Sequence, residues 1–152
     1  MHLTIVESAA LQRWPSTGTR VRATSPALVA SWAEGVIYVH PLYGKTVSLA
    51  SRFVTAHRVL GRTVVLVHTV EQLDRGRYWQ TRADREGTTV VVRLMSQPPP
   101  ETSVSLSVDV QLSGAARAAG PVLRWSLPRS ARRAVRRLAG QLDAKADASA
   151  PS

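Results

Sequence analysis

The chain has 152 residues, of which 44% are hydrophobic, so it is long enough to bury one core and too short for two full domains. It contains no Cys, which excludes disulfides, thiolate metal sites and cysteine nucleophiles. The formal net charge is +10, and most of the excess is concentrated in residues 117–142, which hold seven Arg and no acidic residue.

The first residues, Met1 to Glu7, do not combine a basic segment with a long apolar run, so we expect no secretory signal. The longest weakly charged stretch, Ala27 to Tyr43, is interrupted by an acidic residue and a proline. It falls short of the roughly 20 apolar residues that a membrane-spanning helix needs. We therefore expect a cytoplasmic protein without a transmembrane segment.

The front third of the chain has the weakest pattern. Met1 to Val6 is predicted to form a first strand, and Ser8 to Trp14 a short helix. After a turn at Pro15 to Gly18, the residues of Thr19 to Thr24 alternate, which favours a strand. Val36 to His40 is predicted to form another short strand, which ends at the proline that follows.

The middle of the chain is predicted to be rich in strands. Lys45 to Leu60 fits either a strand or an amphipathic helix, and its Val, Thr and Ser content favours the strand. Four β-branched or alternating runs follow with short polar joints between them, and each predicts a strand: Thr63 to Val70, Arg77 to Ala83, Thr88 to Met95 and Thr102 to Leu112.

A basic amphipathic helix is predicted from Ser130 to Lys145. Its apolar residues recur at intervals of three and four and form one stripe, made by Ala131, Ala134, Val135, Leu138 and Leu142. Pro128 lies just before the expected start, where proline is tolerated. The last seven residues, 146–152, are Ala, Asp, Ser and Pro, which predicts a disordered tail.

Strands followed by one terminal helix have the order of an α+β helix-grip fold, in which a curved antiparallel sheet wraps around that helix. Tyr78 to Asp143 resembles the C-terminal half of the START-like, or SRPBCC, superfamily of polyketide-cyclase and lipid-transport-like proteins. The resemblance is carried by RYWQTRADREG, TTVVVRLMSQ, SVSLSVDVQL, the link from Ser113 to Pro121 and SARRAVRRLAGQLDA. Near the front, Arg-Trp-Pro at 13–15 and Gly-Thr-Arg at 18–20 are similar to turns of bacterial members.

This resemblance implies that residues 1–145 form a single START-like domain. Members of the superfamily open with a strand and two short helices that cap the cavity, and few residues precede Trp14 here. We therefore expect either abbreviated capping helices or a misplaced start codon.

The resemblance also implies a cavity between sheet and helix that holds a lipid, a sterol or a polyketide-like molecule. Residues of the sheet face and the helix stripe are expected to form its walls: Phe53, His57, His68, Tyr78, Trp79, Met95, Val108, Val135 and Leu138. The two histidines could serve as acid, base or polar anchor near neutral pH, although a structural histidine is the commoner role.

Binding, sequestration or transport of a hydrophobic small molecule is the predicted function. The sequence has no HExxH, GxSxG, phosphate-loop or dinucleotide motif, and its four His lack metal-ligand spacing, so we expect neither metal nor cofactor. A polyketide cyclase or dehydratase with unidentified catalytic residues is one alternative.

A second alternative uses the charged side of the terminal helix, which carries Arg132, Arg133, Arg136 and Arg137. Such a face could contact nucleic-acid phosphates or an anionic membrane surface. A run of charges of this kind is more often simply solvated.

Overall fold

The fold is one antiparallel sheet that curves around a long terminal helix. The computed structural model describes residues 1–33, 35–44, 46–59 and 61–149. In these residues seven strands pair in the order β1-β7-β6-β5-β4-β3-β2, so that the first strand lies beside the last. The strands are β1 His2–Ala10, β2 Val36–Pro41, β3 Arg52–Val59, β4 Arg62–Asp74, β5 Tyr78–Arg85, β6 Thr88–Gln97 and β7 Ser103–Leu112.

The strand residues alternate between a face that packs on the helix and a face that is more exposed, as a period of two requires. On β7, Val104, Leu106 and Val110 are buried on the inner face. Asp109 on the outer face pairs with Arg93 of β6. The prediction of four consecutive strands from residue 63 onward is confirmed, because these inner apolar residues supply one face of the core.

The turn between β5 and β6 depends on Gly87, whose φ is +71°. A side chain there would be strained, and its Cβ would lie 2.8 Å from the carbonyl oxygen of Ser113. This glycine therefore allows the hairpin to approach the end of β7 closely.

The terminal helix, α3, spans Gly120–Ser149 and is longer than predicted at both ends. A 3₁₀ turn at Gly114–Ala119 leads into it. Pro128 lies inside the helix, where it removes one hydrogen bond to the carbonyl of Arg124, an exposed residue that water can solvate. Residues 146–149, predicted to be disordered, continue the helix, and residues 150–152 lie outside the described residues.

Two predictions for the front third are wrong. Ser8 to Trp14 is not helical, because β1 continues to Ala10 against β7. Thr19 to Thr24 is not a strand but belongs mostly to a helix, α1, at Thr17–Ala23. Its buried residues, Thr19, Arg20 and Ala23, follow helical spacing, and the Ser16 side chain caps it by accepting from the Thr19 N–H at 3.2 Å.

A second short helix, α2, at Val29–Trp32 follows a 3₁₀ turn at Pro26–Leu28. A strand followed by two helices is the opening that the resemblance implies, and the helices here are short, at seven and four residues. Together, residues 17–32 form a lid over one end of the sheet.

Two side chains tie this lid to the sheet. The guanidinium of Arg20 donates to the carbonyls of Pro15, at 2.6 Å, and Gly76, at 3.0 Å, and lies over the Trp14 ring. The indole N–H of Trp79 on β5 donates to the carbonyl of Thr24 at 2.6 Å. Because these donors are buried, losing either bond would leave an unpaired polar group in the interior.

The predicted strand from Lys45 to Leu60 is confirmed only for its second half, β3. Residues 46–51 form a turn instead, in which Ser51 Oγ accepts from the Ser48 N–H at 2.8 Å and Ala50 has a φ of 65°. Side-chain capping of this kind competes with strand pairing. Lys45 and Leu60 themselves lie outside the described residues.

Replacing Leu138 with Ala tests whether α3 anchors the core. Leu138 is fully buried, so the Leu138→Ala variant is expected to lose about 2–5 kcal/mol in the free energy of unfolding. Leu49→Ala is the matched control, since Leu49 is 62% exposed and the change there should stay within about 0.5 kcal/mol. Urea denaturation measures both, and an equal effect of the two variants would contradict the placement of the core.

Candidate functional site

A cavity of about 580 Å³ lies between the inner face of the sheet, the lid and the first half of α3. Its sheet wall is mainly aliphatic and includes Val64, Leu66, Val90, Val92, Leu106 and Val108. Its helix wall includes the small residues Ser126, Ser130, Ala131 and Ala134. These short side chains leave the space between helix and sheet unfilled.

Five of the residues expected to form the walls lie at this cavity: Phe53, His57, His68, Trp79 and Val108. They come from β3, β4, β5 and β7 and share the inner face of the sheet. Sheet curvature and pairing therefore bring together residues that are far apart in the sequence.

The expectation that Tyr78 and Met95 form the walls is corrected by the structure. Tyr78 pairs with Met95 across β5 and β6, and both lie on the outer face because their neighbours Trp79 and Leu94 point inward. Tyr78 donates from its hydroxyl to Gln80 Oε1 at 3.1 Å, on that outer face. The period of two already implied that Tyr78 and Trp79 cannot share a face.

Val135 and Leu138 also lie outside the cavity lining. They are 1% and 0% exposed and pack into the core cluster with Leu11, Leu94 and Val104. The second half of α3 thus packs on the sheet with large side chains, whereas short side chains in its first half leave space for the cavity.

A chain of polar side chains crosses the inner face within the cavity wall. Thr55 Oγ1 lies 2.7 Å from His57 Nε2 and 3.1 Å from His68 Nε2. His68 Nδ1 lies 3.3 Å from Thr81 Oγ1, and the His68 ring stacks on Phe53 with centroids 4.9 Å apart. We call His57, Thr55, His68 and Thr81 the imidazole–hydroxyl chain.

Sequence reasoning singled out the two histidines of the imidazole–hydroxyl chain and named neither of its threonines as a site residue. Thr55 precedes His57 by two positions, and the strand period places the pair on one face, but Thr55 was not named as a site residue. Thr81 lies on β5, and only the pairing of β4 with β5 brings it to His68.

Burial keeps both imidazoles uncharged at neutral pH. It lowers the pKa of His57, and it lowers the pKa of His68 to about 4, with a smaller contribution from the neighbouring His57. Arg58 and Arg85 also line the cavity, and the described lining residues include no carboxylate. Arg85 donates one guanidinium hydrogen to the carbonyl of Val65 at 3.0 Å.

Two further absences hold for the part of the chain that the structure describes. No three or more His, Asp and Glu side chains there come together as a group that could hold a metal ion. None of the helices there has both the length and the apolar character needed to cross a bilayer.

The four arginines of the helix face, Arg132, Arg133, Arg136 and Arg137, were predicted to lie opposite the apolar stripe. All four are exposed, and the stripe residues Ala131, Ala134, Val135 and Leu138 beside them are buried. Arg132 lies 3.6 Å from Glu7 of β1, so part of this charge is paired. Contact with nucleic acid or an anionic membrane stays a prediction.

Comparisons with known proteins find similar folds among solved structures. No protein-family model matches the sequence. No curated protein matches it either. Among solved structures, the protein TTHA0849 from Thermus thermophilus is similar with a TM-score of 0.67 and 14% identity, over 98% of this chain and 100% of that chain.

Two further structures extend the comparison. The di-domain ARO/CYC protein StfQ from the steffimycin biosynthetic pathway gives a TM-score of 0.73 at 9% identity, over 96% of this chain and 52% of that chain. A START superfamily protein from Mycobacterium smegmatis gives 0.59 at 15% identity, over 97% of each chain. The identities are low, so these likenesses concern the fold, and this chain has the helix-grip fold of the START-like superfamily.

Proposed function

We propose that this protein binds a hydrophobic small molecule in the cavity between its sheet and α3. The observation that carries the proposal is the cavity itself, which has a volume of about 580 Å³ and mostly aliphatic walls. Ligand sites are typically apolar clefts of about 300–1,000 Å³ with a few placed polar groups. The cavity matches that description in size and in chemistry.

The polar groups of the wall are compatible with an apolar ligand. Because both imidazoles are uncharged at neutral pH, a ligand that displaces water from them does not leave a buried charge unsolvated. The gain from burying apolar ligand surface, about 25 cal/mol per Å², is therefore not cancelled by a charge penalty at the imidazoles.

A plug placed in the cavity tests this proposal. Val108 lies in the wall on β7, so the Val108→Trp variant should fill part of the space and weaken binding of the neutral fluorescent probe N-phenyl-1-naphthylamine by about tenfold or more. Ser107→Trp is the control, since Ser107 is the neighbouring residue and faces the other side of the sheet. Fluorescence titration measures both. Absence of binding to the native protein, together with a protein free of lipid-like molecules by native mass spectrometry, would overturn the proposal.

Stability should decrease as the pH falls, because His68 is buried uncharged. In the unfolded chain its pKa is near 6.5, and in the folded protein about 4, so below about pH 6.5 protons bind preferentially to the unfolded state. The contribution of His68 to the free energy of unfolding should be full above that pH and about 2 kcal/mol lower near pH 4.5.

Urea denaturation at the two pH values measures this slope. The His68→Gln variant should lose most of it, while the control His40→Gln, at an exposed position, should keep it. A slope that is the same in native protein and His68→Gln would show that His68 is not the group responsible.

A cyclase- or dehydratase-type enzyme is a second candidate, favoured by the uncharged imidazole of His57, which can accept a proton. The similarity to the ARO/CYC protein StfQ is consistent with it.

Heptane-2,4,6-trione is a suitable probe for this activity, because it cyclises to orcinol with loss of water. An enzyme should accelerate orcinol formation above the buffer rate, and His57→Leu should abolish the acceleration. Equal rates with native protein, variant and buffer would exclude this activity on the probe.

A further inference from the structure

We infer that the imidazole–hydroxyl chain is a recognition site for one uncharged hydroxyl or carbonyl group of the ligand, and that it can either donate to that group or accept from it. This inference rests on the proposed function, because the imidazole–hydroxyl chain lies in the wall of the same cavity. It adds a ligand class, namely an apolar molecule with a neutral hydrogen-bonding group.

The hydrogen count at Thr55 carries the argument. Its hydroxyl has one hydrogen and lies between the Nε2 atoms of His57 and His68, at 2.7 and 3.1 Å. No third partner of this hydroxyl occurs among the described residues, so its hydrogen is used within the group. One Nε2 therefore accepts from Thr55, and the other donates to it.

Each neutral imidazole carries one hydrogen, so the direction at Thr55 determines the state of both rings. If Thr55 donates to His57, that ring carries its hydrogen on Nδ1 and offers a donor. If Thr55 donates to His68, the Nδ1 of His57 is a bare acceptor. His68 Nδ1 changes in step, and the Thr81 hydroxyl at 3.3 Å can donate to it or accept from it.

The free end of the chain is His57 Nδ1, which has no hydrogen-bond partner among the described residues, although His57 lines the cavity. The other members are held in place: Thr55 and Thr81 are 2% and 0% exposed, and Phe53 stacks on His68 with an interplanar angle of 6°. A rigid, fully bonded support behind one free nitrogen is the arrangement that orients a polar anchor.

A ligand anion is the main rival, because Arg58 and Arg85 also lie at the lining. A carboxylate would bind to these guanidinium groups and would not require a hydrogen bond to the imidazole–hydroxyl chain. Ligands that share one skeleton and differ in one group therefore separate the two possibilities.

The experiment measures dissociation constants near pH 7 by displacement of N-phenyl-1-naphthylamine with biphenyl, 4-phenylphenol, 4-acetylbiphenyl and biphenyl-4-carboxylate. The phenol and the ketone should each bind about fivefold more tightly than biphenyl, as one added hydrogen bond gives. In His57→Leu both advantages should disappear, and the control His40→Leu should keep them. Ratios within one variant do not depend on its overall stability.

Histidine ¹⁵N chemical shifts of the native protein give a readout of the hydrogen positions. The phenol should leave His57 Nδ1 without a hydrogen, and the ketone should place one there. Either ligand should change His68 as well. In Thr55→Val, which removes the hydroxyl at nearly constant shape, the response of His68 should be lost while that of His57 remains.

Three results would overturn the inference. The first is equal affinity for biphenyl, the phenol and the ketone, which leaves the proposed function intact. The second is tightest binding of the carboxylate with loss of that preference in Arg85→Gln. The third is a His68 response in Thr55→Val equal to that in the native protein. If no member of the series displaces the probe, the proposed function fails together with the inference.

Discussion

The packing of α3 on the sheet is the interaction on which the rest of the structure depends. In the second half of the helix, Val135, Leu138 and Leu142 fill the space against the inner face. In the first half, Ser126, Ser130 and Ala134 do not. Leu123 and Leu127, also in the first half, pack against the cluster of Leu3, Val110 and Leu112, so the unfilled space lies beside the shorter side chains. The cavity is thus a consequence of the size distribution of side chains along a single helix.

The lid contributes Val29 and Trp32 to the cavity lining, and polar contacts of large side chains hold it on the sheet. Arg20 and Trp79 each donate to backbone carbonyls and join residues 15–24 to the sheet. Trp32 of α2 is 1% exposed, and its indole N–H has no acceptor among the described residues. The part of the lid over the cavity therefore contributes apolar packing, whereas the part near Arg20 contributes hydrogen bonds.

Regular periodicity determined how much could be predicted. The strands from residue 63 onward and the stripe of α3 follow periods of two and 3.6 and were found, although α3 begins at Gly120, well before the predicted start at Ser130. The lid was missed because the alternating letters of Thr19 to Thr24 fit a strand, and the helix there is fixed by the cap at Ser16 and by burial of Arg20. The imidazole–hydroxyl chain was half found, since a sequence shows that Thr55 and His57 share a face but not that β4 and β5 bring His68 to Thr81. Tyr78 and Met95 were misplaced where side-chain chemistry was given more weight than strand parity.

The pairing of β1 with β7 has a consequence for how the chain folds. His2 lies opposite Gln111, so the first strand finds its partner only after more than a hundred further residues exist. Hairpins from β2 to β7 form between neighbours in the sequence, whereas β1 must wait for a long loop to close. During synthesis, β1 emerges first and joins the sheet among the last elements. Until then, β7 is one edge of the sheet, and the arrival of β1 moves that edge to β1, on which α3 packs.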